Sequence, residues 1–493
     1  MVILSAYIPL KSNNSTIIDK LGSNLAIGIT IALAAVLLAA ITILPRWRVW
    51  RKRKKLSGLK KGSWGSASGT IYGRDNIGRI VYAPTTNDGK HTLIMGGTGT
   101  GKTSAILIPT LSHFDGNFLA IDISGDISAA VDCPGSLTFA PGEFFSSPYS
   151  IFGMIDALDN AQNRREQLEK LAFLLMPDTP EMSDASRYFN TEGRKILTAA
   201  LIAYYYAGLD FTEICRKVLS QSYTDLFRNI DAQGNEVASM LISSFRGANE
   251  ANTAGCKQAA DAAIKLFALN DNIQSVTRRP IGNERAITPS VLEKRSVFLK
   301  IPEHLLDLYA PILRIICSQT LTYFSTRPLG SSPSIMLALD EFPSLGMDAT
   351  SIVSALQRFR KRNVSIMIVA QSMPSLDRIY GQITRKDMLN NFSYKVVLHA
   401  ADADTQGEIA RMIGHKREKQ TTKTSGHSTS ITERDELVWA IDPEELGRLG
   451  NDLILIHPAG YERLRKAPYY KYNNGQSTQI PIILDTQCRK EEY

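Results

Sequence analysis

Cysteine is scarce. The 493 residues hold five, at positions 133, 215, 256, 317 and 488, and no two form a CxxC pair. The seven histidines do not gather near them. This excludes a disulfide framework and a zinc site of the usual spacing, and it points to a reducing compartment for most of the chain. No internal repeat is present, which sets aside solenoids and propellers. Nor is positive charge spread along the chain. The formal charge of +8 is local: residues 46–61, RWRVWRKRKKLSGLKK, carry nine Lys or Arg and no acid, so the remainder is close to neutral. Net charge therefore gives the body of the chain no general attraction to nucleic acid. No basic surface interleaved with aromatics stands out either.

Charge is missing altogether from residues 23–44, SNLAIGITIALAAVLLAAITIL. A helix of that length crosses roughly 30 Å of hydrocarbon. A cleaved signal peptide carries its positive charge before the apolar run, whereas here the charge follows it. The expectation is an uncleaved anchor with residues 1–22 outside and the body inside, because a basic cluster after a span marks the cytoplasmic face. Trp47 and Trp50 fit the membrane interface, and the helix would contact lipid; the basic run reads as a stop-transfer signal, with contact to anionic lipid or DNA as its other reading. Residues 45–75 then form a basic juxtamembrane linker, whose Gly/Ser-rich part reads as a flexible or irregular lead-in.

Beyond the linker the pattern alternates. HTLIMG is a short apolar strand, and KTSAILIPTLSHF is a helix that Pro109 should kink or end. NFLAID is a second strand. From 155 to 275 strands vanish, and NTEGRKILTAALIAYYY sets Leu197, Ala200, Leu201 and Tyr204 on one helical face. Strands return at RSVFLKIP, at 334–340, and at VSIMIVAQS, YKVVLHA and NDLILIHPAG, with helices between them. Strands interleaved with helices predict an α/β fold with a mainly parallel, covered sheet. A helical domain is inserted between the early and late strands of that sheet. The polar stretch 416–435 reads as a mobile surface loop.

GGTGTGKT, formed by Gly96, Gly97, Thr98, Gly99, Thr100, Gly101, Lys102 and Thr103, fits the phosphate-loop pattern in full. Its glycines let backbone amides curl around phosphate oxygens, Lys102 offers a cation to the β and γ phosphates, and the Thr103 hydroxyl suits Mg²⁺. Two apolar strands end in Asp: FLAID at Asp122 and IMLALDE at Asp340. Asp340 is the better magnesium ligand because Glu341 follows it, and hydrolysis needs a base to orient and deprotonate water. Asp122 reads as organiser of the loop DISGD or as a cap on the next helix. Gln371, ending IMIVAQ, either senses the γ-phosphate or ties down a turn. In QRFRKRN, the group Arg358, Arg360, Lys361 and Arg362 is either a solvated helix end or the source of an arginine finger.

GGTGTGKT, AIDISGD, RYFNTEGRKILTAALIA, ALDEFPSLG, AQSMPSLDRIYG and the stretch from ERDELVWAIDPEELGRLG to APYY resemble, in this order, the type IV coupling proteins, the conjugative coupling ATPases of type IV secretion systems. The resemblance covers roughly residues 60–475. It implies a RecA-like P-loop NTPase domain with an inserted all-α domain and one N-terminal transmembrane helix. It also implies ATP and Mg²⁺ as cofactors, and a homo-hexamer at the bacterial inner membrane, single-pass with its main body cytoplasmic. Partners would be the secretion channel components and a relaxase–DNA complex or protein effectors. The family's finger arginine lies in a Gly-Arg-Lys motif, which here reads Phe359-Arg360-Lys361 and makes Arg360 the candidate. AIDISGD has Ile123, Ser124 and Asp126 where relatives commonly carry a Lys-Gly-Glu type sequence. The expected layout is a nucleotide-binding domain over 76–154 and 276–475, the all-α domain over 155–275, and a C-terminal tail over 476–493. Glu341, Lys102, Gln371 and Arg360 are the expected catalytic set. A DNA-delivering motor is the first reading. An ATP-controlled receptor for protein cargo and a chromosome-pumping ring motor are its rivals.

Overall fold

The computed structural model describes residues 56–85, 90–178, 182–424 and 430–471. The anchor predicted at 23–44 and most of the basic run lie outside these. Among the described residues no helix is long and apolar enough to cross a membrane. The chain divides at Gly58, and the unit described here begins at Leu59.

Fourteen strands follow in chain order: β1 Lys60–Gly62, β2 Gly69–Arg74, β3 Ile80–Pro84, β4 Thr92–Met95, β5 Asn117–Asp122, β6 Leu137–Phe139, β7 Val297–Lys300, β8 Ile335–Leu339, β9 Val364–Ala370, β10 Tyr394–Val397, β11 His415–Thr424, β12 Ser430–Trp439, β13 Asp452–His457 and β14 Gly460–Arg465. Twelve form one sheet in the order β1-β3-β2-β14-β13-β10-β4-β9-β8-β5-β7-β6. The run from β10 to β6 is parallel throughout. The remaining five strands extend it antiparallel from β10. β4, β8 and β9 are buried along their whole length. That explains their near-continuous Val, Ile, Leu and Met: both faces of a parallel sheet are covered.

The two faces follow the strand period of two. Ile94, Phe118, Ala120, Met336 and Met367 share a core with Ile106, Leu107 and Leu111 of the helical run after the glycine loop. Leu93, Met95, Ile121 and Leu337 face the other way, into a core continuous with the helical block. Between β6 and β7 that block runs from Ala161–Leu175 through Asp184–Tyr206, Phe211–Leu219, Tyr223–Ala232, Glu236–Ser243 and Glu250–Leu269 to Asp271–Thr277. Each helix starts on a side chain that accepts a backbone N–H: Asn160, Ser183, Asp210, Ser222, Asn235, Asn249 and Asn270. These caps satisfy donors that a helix start leaves unpaired. Leu197, Ala200, Leu201 and Tyr204 are all buried, as their spacing predicts.

Three expectations change. The described parts of stretch 416–435 are not loop: 416–424 belong to β11 and 430–435 to β12, paired antiparallel. Part of the expected linker, Lys60–Gly62 and Gly69–Arg74, is strand within the large sheet. At Pro109 the two expected outcomes narrow to one: it does not end its helix, but the helix changes there, the π turn Thr103–Leu107 passing into the α-helix Ile108–Ser112.

Candidate active site

β4 delivers the glycine loop at the carboxyl end of the parallel strands, where open α/β sheets bind ligands. Gly99 and Gly101 take φ of 73° and 94°, left-handed values that turn the loop back on itself at no steric cost. The Thr100 hydroxyl donates to the Gly97 carbonyl at 2.8 Å, and Lys102 Nζ donates to the same oxygen at 3.2 Å. Thr103 opens the π turn that carries the chain away.

The acid pair arrives two strands over, with β9 between β4 and β8. This order explains how residues so distant in sequence share a site: the helical block leaves and re-enters the sheet on its far side. Glu341 Oε1 lies 3.9 Å from Lys102 Nζ. Gln371, at the end of the intervening β9, places Nε2 3.4 Å from Glu341 Oε2 and 3.5 Å from Oε1. Glu341 adopts φ 46° and ψ 42°, a left-handed conformation that a glutamate enters only at a cost of about 1–3 kcal/mol. Asp340 beside it is buried. Its Oδ1 accepts the Glu341 N–H at 3.1 Å. Burial, then the Glu341 carboxylate, push its pKa up to about 6, opposed by the Lys102 ammonium. A carboxylate that resists ionisation for want of a counter-charge suits a divalent cation. Among the described residues no group of three or more His, Cys, Asp or Glu is placed to hold a metal. Mg²⁺ takes one or two protein oxygens and keeps the rest for phosphate and water, and the Asp340 carboxylate and the Thr103 hydroxyl are the oxygens that could hold it here.

Asp122 serves a different purpose. Its Oδ1 accepts from the Gly125 and Ile127 amides at 2.9 and 3.3 Å, and its Oδ2 from Ser128 at 2.8 Å. It organises the turn and caps the short helix Asp126–Ala130, so both of its sequence readings describe the same bonds. The lysine missing from AIDISGD has a neighbour that sequence alone does not reveal. Lys300 pairs with Asp122 across β7 and β5, lies against Gly125, and bonds Glu143 at 2.7 Å. Only the strand order brings it there.

Arg360 does not join this group. It is exposed in the 3₁₀ turn Phe359–Arg362, which precedes β9, so it lies at the amino end of the strand whose carboxyl end bears Gln371. Its charge is felt there by His91 and Tyr394, which precede β4 and open β10.

A glycine loop, an intervening strand bearing a polar terminus, and an acidic strand next to it define the class: a P-loop nucleotide-binding α/β domain. The family described as "Type IV secretory system Conjugative DNA transfer" matches residues 49–491, and the chain belongs to it. The type IV secretion system-coupling protein VirD4 of Bartonella henselae is 22% identical over 394 residues, covering 73% of this chain and 61% of that protein. Protein VirD4 of Agrobacterium fabrum is 21% identical over 445 residues, covering 86% of this chain and 65% of that protein. The chain thus spans under two thirds of the length of these relatives. In structure it is similar to the bacterial conjugative coupling protein TrwB in unbound form, with a TM-score of 0.63, 17% identity, and coverage of 80% of this chain and 89% of that one. TrwB in complex with ADP and Mg²⁺ gives 0.62, 16%, 78% and 87%. The fold is shared with these structures.

Proposed function

We propose that this chain binds ATP with Mg²⁺ and hydrolyses it to drive delivery of a DNA or nucleoprotein substrate into a type IV secretion channel during conjugative transfer. The observation that carries this reading is the convergence of Lys102, Glu341 and Gln371 within 4 Å contacts at one end of the sheet. The relatives' descriptions as coupling proteins supply the transport context.

In this reading the amides of Gly96–Thr103 and Lys102 hold the phosphates. Asp340 and Thr103 hold the metal, which when bound neutralises charge on the β and γ phosphates. Glu341 accepts the proton of the attacking water, and Gln371, already beside that carboxylate, fixes the water's direction. Arg360 is exposed at the opposite end of β9 from Gln371 and its own loop. It therefore acts on the nucleotide of a neighbouring copy, which calls for a head-to-tail ring, here a homo-hexamer. The nucleotide-binding domain takes in β1 and β2 together with residues 76–154 and 276–475, and residues 155–275 form the all-α domain. The segment 23–44 anchors the body on the cytoplasmic side of the inner membrane.

The test is ATP turnover by the full-length protein in detergent, with and without single-stranded and duplex DNA, using Glu341→Gln as the blank. Stimulation by DNA is expected. Turnover above the blank but indifferent to both DNAs overturns the DNA motor in favour of a receptor for protein cargo. Lys102→Ala should abolish turnover, and unchanged turnover would remove the phosphate loop from the assignment.

A further inference from the structure

Among the described residues, Arg314 is a half-buried cation without an acid partner. Arg314 lies in the middle of helix Leu306–Ser325, which packs against Ala161–Leu175 of the helical block, the turn Phe342–Leu345 and the helix Ala349–Arg358. Its Nη1 donates to the Leu174 carbonyl at 3.3 Å, in the last turn of Ala161–Leu175. Carbonyls there have no partner within their own helix and carry the negative end of its dipole. Its Nη2 lies 3.0 Å from where a Cβ on Gly346 would stand, and Gly346 is left-handed with φ 55°. The guanidinium is therefore seated against the turn that follows Asp340 and Glu341. Its Nε is buried without a hydrogen-bond partner, and among the described residues no carboxylate forms an ion pair with it. The buried Tyr380 hydroxyl neighbours it. The Tyr380 ring stacks on Phe342 at 5.3 Å, and Tyr380 belongs to the helix Met373–Asn391, which begins two residues after Gln371.

A guanidinium taken from water without an acid costs folding free energy, and an apolar side chain of similar length would fill the space at less cost. Stability does not account for a charge here. Position does: one side chain touches the segment after Glu341, neighbours the helix after Gln371, and holds the end of a helical-block helix. We infer that Arg314 is a positioning residue that links the acidic turn to the helical block, so that the nucleotide state of the site is felt at the end of Ala161–Leu175. This rests on the proposed nucleotide site.

The experiment is hydrogen exchange on the full-length protein with Mg²⁺ and either ADP or a non-hydrolysable ATP analogue, comparing the wild type with Arg314→Met and Arg314→Lys. Binding of a fluorescent nucleotide and thermal melting are measured alongside. In the wild type, exchange over 170–178 should differ between the two nucleotides by about 5-fold or more, the lower end of ordinary coupling. Arg314→Met should bind nucleotide as tightly as the wild type and melt no lower, yet show equal exchange in both states. Arg314→Lys, which keeps the charge but loses the fork, should retain part of the difference. A difference that persists in Arg314→Met overturns the inference, whatever its melting temperature. So does a wild type that binds both nucleotides with equal exchange. A wild type that binds neither overturns the nucleotide reading itself, and this inference with it.

Discussion

The parallel sheet has two ends built on opposite principles. Each carries a non-glycine residue in the left-handed region. At the amino end it is Asn363, φ 57°, a residue type that tolerates that region. The backbone around it is fully engaged. Arg327, nearly all buried, forks onto Glu293 at 2.9 and 2.6 Å and also donates to the carbonyls of Arg362, Asn363 and Pro333. Arg362 returns a bond to the Arg327 carbonyl. At the carboxyl end the left-handed residue is Glu341, a poor choice for stability. Beside it stand Asp340, with its raised pKa, and Lys102, paired at 3.9 Å rather than at hydrogen-bonding distance. The buried Arg327 at the amino end is paired with Glu293 at hydrogen-bonding distance, whereas the acids and Lys102 at the carboxyl end are not so paired. Strain and incomplete pairing concentrate where a substrate would complete them.

Three substitutions separate the ends, and the largest effect belongs to the carboxyl end. Glu341→Gln should lower ATP turnover by about 10² to 10⁴ while leaving nucleotide affinity and melting temperature nearly unchanged. Near-normal turnover would remove Glu341 from its role. Arg327→Met should do the reverse, costing about 4 kcal/mol in chemical denaturation because Glu293 loses its partner and three carbonyls lose a donor, with nucleotide affinity retained. A stable variant would show that the amino end is not the structural anchor. Asp340→Asn tests the raised pKa. The folded protein holds the Asp340 proton more tightly than the unfolded chain. Its stability is therefore greatest below the unfolded value near 4 and falls as pH rises through about 6, a penalty of roughly 3 kcal/mol at neutral pH without metal or nucleotide. Asp340→Asn escapes it. Without metal it should melt above the wild type at about pH 8, with a gap that closes toward pH 4. Adding Mg²⁺ with nucleotide should raise the wild type more than the variant. A gap independent of pH would sink the assignment.

The carboxyl end is the more legible of the two in sequence, for a physical reason. A buried parallel strand is a short apolar run, and a functional group at its end interrupts the run abruptly, as Asp340, Gln371 and the first glycine of the loop do. The amino end gives no such mark, because Arg327, Glu293 and Asn363 meet only through tertiary structure. The strands from β1 to β3 are hidden among glycine and serine, and the ribbon of β11 and β12 alternates polar with polar along Lys416, Arg417, Glu418 and Lys419. Neither offers the apolar period that reveals a strand. Arg314 is the one cation in a mostly apolar helix, visible in sequence as an oddity but without any hint of what it touches.

That ribbon has a mechanical consequence. His415 and Trp439 stack at its base with ring centroids 4.1 Å apart, and pairing continues without a break to Thr424 and Ser430. Gly414 joins it to the helix Ala403–Ile413, whose Thr405 hydroxyl takes the Met373 N–H at 2.9 Å, two residues from Gln371. Ten residues of strand make an arm of roughly 30 Å. A tilt of about 10° at its root carries the outer pair through roughly 5 Å, the spacing of one strand from the next. Any such tilt would begin one helix away from the segment that carries Gln371.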